Sequence, residues 1–156
     1  MFRKMRRFKQ ELSMEECFEV LKSEPRGVLA VHGENGYPYA LPMNHILLGR
    51  TLYFHSATEG HKLDAIDADN RVSFCAIDKG VAKSHDWALN FKSVIVFGRL
   101  LRVDDKEEAL NATRQLGLKF YPTADSVEEA IDRSFDRVQV LKLEIDHISG
   151  KRVKES

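Results

Sequence analysis

Cysteine is scarce in this chain: Cys17 and Cys75 stand alone among 156 residues. Neither belongs to a C-x-x-C pair, which argues against a zinc site or a disulfide framework. Two buried thiols in a reducing cytoplasm are expected instead. Net charge is also absent, with 24 Lys and Arg against 24 Asp and Glu. General nucleic-acid binding draws on accumulated positive charge, so none is expected, although a local anion site remains open. No segment approaches the roughly 20 apolar residues that span a bilayer. The basic stretch Met1–Gln10 has no apolar run after it and does not read as a secretory signal. The expectation is a cytoplasmic protein without membrane segments. No G-x-S-x-G, paired-carboxylate or H-E-x-x-H pattern is present, so neither a hydrolase nor a metal centre gains support. G-x-G-x-x-G is missing too, which leaves a nicotinamide only transient binding.

The length fits one domain over residues 1–150, followed by a polar tail at 151–156. Ser13-Met-Glu-Glu16 has capping-box spacing and opens a predicted helix over 13–23, which Pro25 ends. Glu34-Asn35-Gly36 marks a hairpin turn between strands at 27–32 and 37–47. Pro38 and Pro42 share one parity of the second strand, giving it an open or irregular edge. Further strands are predicted at 51–56 and 71–77, with a short helix at 59–68 between them. Residues 79–89 read as a loop holding His85 and Trp87. Ser93–Val103 carries apolar residues on both parities, so both faces should be buried, one in a barrel and one under a helix or second subunit. Helices follow at 105–118 and, from the spacing of Ser126 and Glu129, at 126–136. In the last strand, 137–148, the parity switches between Val140 and Leu141, which suggests a bulge. Six strands with inserted helices favour a mainly β chain folded as an antiparallel barrel.

The segment with most chemical content is Tyr53-Phe-His-Ser-Ala-Thr-Glu-Gly-His-Lys62. A strand ends in small residues and a helix begins with His61 and Lys62 in its first turn. Exposed N–H groups and the helix dipole favour an anion there, so two cations imply a phosphate between them. Ser56 offers a hydroxyl, Ala57 and Gly60 allow close backbone approach, and Lys62 supplies the charge. A plain helix start, capped by Ser56 or Thr58, is the competing reading. His55 is a candidate proton donor or hydrogen-bonding group beside a ligand, or else a rim histidine. Asn44 and Ser93 are polar residues near strand ends that could meet a heterocycle's edge.

Taken in order, Gly36-Tyr-Pro38, Pro42-Met-Asn44, the block Tyr53–Leu63, Val72-Ser-Phe-Cys75 and Ser93-Val-Ile-Val-Phe-Gly98 resemble the pyridoxamine 5′-phosphate oxidase-like flavoproteins. Their nitroimidazole-resistance (Nim-type) branch is the nearer likeness. The resemblance covers about Arg6 to Val103. It implies a six-stranded split β-barrel that dimerises with itself, with two FMN molecules at the subunit interface. By the same analogy Ser56, Ala57, His61 and Lys62 surround the FMN phosphate, while Met43 and Asn44 lie along the isoalloxazine. His55 is then near the flavin as the catalytic candidate, and Ser93 also touches FMN. Where many relatives place tyrosine and arginine before the serine, this chain has Phe91 and Lys92. The implied activity is reduction of small acceptors such as nitroaromatics, with electrons from NAD(P)H or another donor. A flavin- or haem-binding sensor on the same barrel is the alternative.

Overall fold

The computed structural model describes residues 1–82 and 89–154; His85 and Trp87 lie outside them. Strands β1 (Arg26–His32), β2 (Pro38–Asn44), β3 (Ile46–Leu48), β4 (Thr51–Ala57), β5 (Arg71–Ile77), β6 (Val81–Ala82), β7 (Leu89–Arg102) and β8 (Val138–Val153) are joined by four α-helices. These are α1 (Met14–Ser23), α2 (His61–Ala68), α3 (Lys106–Phe120) and α4 (Ala124–Ser134). Among the described residues, no helix is long and apolar enough to cross a membrane.

The hydrogen-bonded order of the main sheet is β2-β1-β5-β7-β8-β4-β3, with β6 paired to β7. Its pairings are antiparallel throughout. The two outermost strands, β2 and β3, are separated in sequence by His45 alone. A flat sheet cannot bring opposite edges within one residue, so the sheet curls into a half-closed barrel whose seam lies at His45. The predicted single strand over 37–47 is therefore two, because the chain crosses from one edge to the other there. With β3 and the two-residue β6, the expected six strands become eight.

Period-two burial sends Leu29, Val31, Leu52, Phe54, Phe74, Val94, Val96, Leu141 and Leu143 into the interior. Cys17, Val20 and Leu21 of α1, with Leu63 and Ile66 of α2, complete this core. Both cysteines are free thiols, Cys17 buried and Cys75 half-buried. The outer parity of β7 behaves differently along its length. Val103 packs with α3, whereas Ile95 and Phe97 remain exposed beside Val28 and Ile77, with Phe2 stacked on Phe97. The expected burial of both faces thus holds at one end of β7 only in the single chain.

Three features of β8 and α4 differ from expectation. Val140 and Leu141 are both buried because β8 has cover on both faces: Val140 meets Val103, Ala109 and Ala112, while Leu141 enters the barrel. No bulge lies there. The irregularity falls at Asp146, where Phe97 pairs with His147 but Gly98 with Ile145. β8 also continues to Val153, opposite Phe91, so residues 151–153 belong to the sheet and not to a polar tail. The α4 cap is Thr123, whose side chain accepts from the Ser126 N–H, and Ser126 is already in the helix.

The capping box of α1 forms as its spacing predicts: Ser13 Oγ accepts from the Glu16 N–H at 3.2 Å, and Glu16 accepts from the Ser13 N–H at 3.3 Å. Glu16 also accepts from Arg152 at 2.7 Å, which ties α1 to β8. Removing the hydroxyl in Ser13→Ala should cost about 1 kcal/mol in a urea-unfolding experiment. No measurable loss would mean that packing alone holds this helix.

Candidate functional site

Asn44 ends β2 and His55 lies in β4, and the seam brings them together. Both line two adjoining cavities. One, of about 340 Å³, is bounded by Arg26, Pro42, Met43, Asn44 and His55. The other, of about 400 Å³, lies between β4 and the α3–α4 hairpin. Asn44 is held by Arg26, whose Nε donates to its Oδ1 at 2.9 Å. Since Arg26 is a donor only, this fixes the amide orientation and leaves the Asn44 NH₂ to donate elsewhere. His55 projects from the outer parity of β4, opposite Val140. Partial desolvation lowers its pKa and favours the neutral imidazole, which offers one donor and one acceptor. Met43 takes the inner parity and is nearly buried.

Two residues beyond His55, Ala57 is exposed and pairs with Val138. The chain then turns through Gly60, at φ 146°, into α2. That backbone favours glycine, and no side chain caps the helix. Neither Ser56 nor Thr58 serves as the cap, so the competing reading of a capped helix start fails. Ser56 is buried, and its hydroxyl donates to the Ala57 carbonyl at 2.6 Å. It is turned inward, not toward the helix end. His61 is exposed and stacks on Tyr39 with ring centroids 4.2 Å apart. Lys62 is half-buried and forms no ion pair among the described residues.

Ser93 is not with this group. It pairs with Ile77 and Lys151, whereas His55 lies level with Val140, near Arg102 of β7. Nine residues of strand separate the two levels, roughly 30 Å along β7. Within one chain the predicted set therefore divides: Met43, Asn44 and His55 converge on one cavity, Ala57, His61 and Lys62 follow His55 along the chain into α2 with His61 against Tyr39, and Ser93 is remote on the outer face.

A buried structural pair, His45 and Lys119, escapes the sequence reading. His45 is fully buried, its Nε2 at 2.6 Å from the Leu21 carbonyl and its Nδ1 without a partner. Burial pushes its pKa down to about 4. Lys119 donates to the carbonyls of Glu24 and His45, both at 2.7 Å, and burial lowers its pKa to about 8. Together they pin α1, α3 and the seam. The α3–α4 cavity was also missed, although its signal was present. Thr113, Leu116, Gly117 and Phe120 repeat at helical spacing, as do Val127, Ala130, Ile131 and Ser134.

Comparison with known proteins agrees with this architecture. No curated protein sequence matches the chain. Among solved structures, a candidate 5-nitroimidazole antibiotic resistance protein from Bacteroides thetaiotaomicron superposes with a TM-score of 0.75 at 20% identity, over 92% of this chain and 87% of that one. A conserved protein of Mycobacterium tuberculosis reaches a TM-score of 0.80 at 18% identity, over 95% and 90% of the two chains. The FAD-binding protein of Mycobacterium smegmatis gives 0.69 at 23% identity, over 94% and 99%. These likenesses establish the split-barrel fold. Residues 13–152 match the family model for pyridoxamine 5′-phosphate oxidase, and with nearly the whole chain covered, the protein belongs to that family.

Proposed function

We propose that the protein is an FMN-binding flavoprotein which, as a homodimer, reduces small oxidised acceptors such as nitroaromatics. The observation that carries this reading is the uncapped start of α2 at Gly60, with Lys62 in its first turn, reached directly from β4, the strand whose His55 lines a cavity with Asn44. Free N–H groups, a positive helix end and a cation suit a phosphate monoester. The uncharged cavity wall of Pro42 and Met43 suits a flat ring, with Arg26 at its edge. The donor set thus fits FMN.

In this reading the α2 N–H groups, Lys62 and His61 hold the phosphate, and Ala57 lets the backbone come close. Ser56 contributes only if its hydroxyl leaves the Ala57 carbonyl. Met43 and Asn44 flank the ring. His55, whose lowered pKa favours the neutral imidazole, holds the acceptor by a hydrogen bond from its ring N–H. When bound, FMN would supply the redox chemistry between NAD(P)H or another donor and the acceptor. The remoteness of Ser93 is consistent with a site completed by a second copy. The exposed apolar strip of Val28, Ile77, Ile95 and Phe97 offers a face for that copy.

The absorbance spectrum of the freshly purified protein tests the reading. Flavin bands and extractable FMN are expected. A Soret band would replace FMN by haem, and a colourless protein that rejects added FMN would overturn the proposal. Lys62→Ala should weaken FMN binding by about 1.5–3 kcal/mol, or roughly 10- to 150-fold, in a fluorescence titration. Unchanged affinity would place the phosphate elsewhere.

A further inference from the structure

The α3–α4 cavity has a chemical character of its own. None of its thirteen lining residues is Lys, Arg, Asp or Glu. Two of the hairpin's cations are engaged outside this lining: Arg114 pairs with Glu128 at 2.6 Å, and Lys119 bonds the Glu24 and His45 carbonyls. Leu116, Phe120, Val127, Ile131 and Phe135 supply apolar wall. The Thr113 hydroxyl is taken up by the Ala109 carbonyl at 2.8 Å. Gly117 allows the helices to close over the space, since a Cβ there would meet Val127 Cγ1 at 2.8 Å. At about 400 Å³ the cavity lies within the usual range for small-molecule sites.

Asn44 and His55 stand on the wall common to this cavity and the smaller one. With Arg26 on its Oδ1 fixing the amide, Asn44 presents its NH₂ as a donor to a new ligand. We infer that the α3–α4 cavity is the acceptor-binding chamber of the flavin site, and that it selects uncharged, ring-sized apolar molecules carrying an oxygen acceptor at the Asn44 end. This rests on the reading of the smaller cavity as the flavin's. An anionic molecule, such as a phosphorylated or carboxylated ring, would lose its hydration against a lining that holds no cation, Arg26 being in the smaller cavity and engaged with Asn44 Oδ1.

A matched pair of redox-inert probes tests the inference by equilibrium binding, without turnover. 2-Acetylnaphthalene and 2-naphthoate share a ring and a carbonyl oxygen but differ in charge. With FMN-saturated protein, the neutral probe should bind at least tenfold more tightly than the anion. Ala130→Phe, which fills the chamber from α4, should abolish binding of the neutral probe while FMN affinity stays unchanged. Ser134→Lys should bring 2-naphthoate to at least parity with the neutral probe. This gain cannot arise from misfolding. Equal binding of the two probes, or neutral-probe binding that survives Ala130→Phe, would overturn the chamber and leave the flavin reading intact. Failure of FMN to bind at all would overturn the flavin reading, and with it the chamber's role.

Discussion

Phe74→Ala is expected to cost about 3–5 kcal/mol, the largest single loss anticipated in this molecule. Phe74 is fully buried on the inner parity of β5. Its ring meets Phe54 edge-on at 5.3 Å between centroids and His45 at 5.1 Å. It also lies against Gly27, where a Cβ would come within 2.5 Å of its ring. Truncation would remove contacts with both sides of the curled sheet and leave a void that the surrounding strands cannot readily fill, because their spacing is set by hydrogen bonds. Urea unfolding should show a lower midpoint with a similar slope. A loss below about 1 kcal/mol would show that the interior collapses around the gap and that Phe74 is not its centre.

Acidification should produce the second large effect, through His45. In an unfolded chain its imidazole takes a proton near the ordinary value of 6.5, whereas in the fold it does so only near 4. Between those values the unfolded state binds the extra proton, so stability falls as pH falls through this window. The loss reaches about 3 kcal/mol by its lower end. The cause is local: burial first, with the Lys119 ammonium adding repulsion against the Leu21 hydrogen bond. His45→Gln keeps an N–H donor for the Leu21 carbonyl but cannot take up a proton. Stability measured from pH 7 to 4 should fall less steeply in this variant than in the parent. Parallel curves would assign the acid sensitivity to other groups. Asp69 is not expected to act in this window, since Arg71 holds its carboxyl far below the usual range.

Much of the fold was legible because it depends on local rules. Alternating burial in β1, β4 and β5, the Asn35-Gly36 turn and the Ser13 capping box are short-range patterns read directly from the residues. The break at His45 was not legible. Nothing in Tyr37–Leu47 alone says that its two halves belong to opposite sheet edges; that is fixed by β8 entering between β7 and β4. Consecutive apolar Val140 and Leu141 read as a bulge because cover on both faces produces the same pattern as a phase slip. At the site, Asn44, His55 and Lys62 could be chosen from residue type and position. That Ser56 turns inward, that Ser93 is remote and that a helical hairpin builds a second cavity all depend on tertiary packing.

The placement of β8 has a consequence for how the chain is made. β4 finds its main partner only in residues 138–144, more than eighty positions later. While the chain emerges from the ribosome, the β4 edge must wait, with Leu52 and Phe54 beside it, until residues 138–144 have been synthesised. Such distant pairing makes closure slow, and an unpaired apolar edge invites association between nascent chains. The barrel is in this sense a clasp fastened by its final strand, and conditions that delay that fastening should favour aggregation without changing the stability of the finished protein.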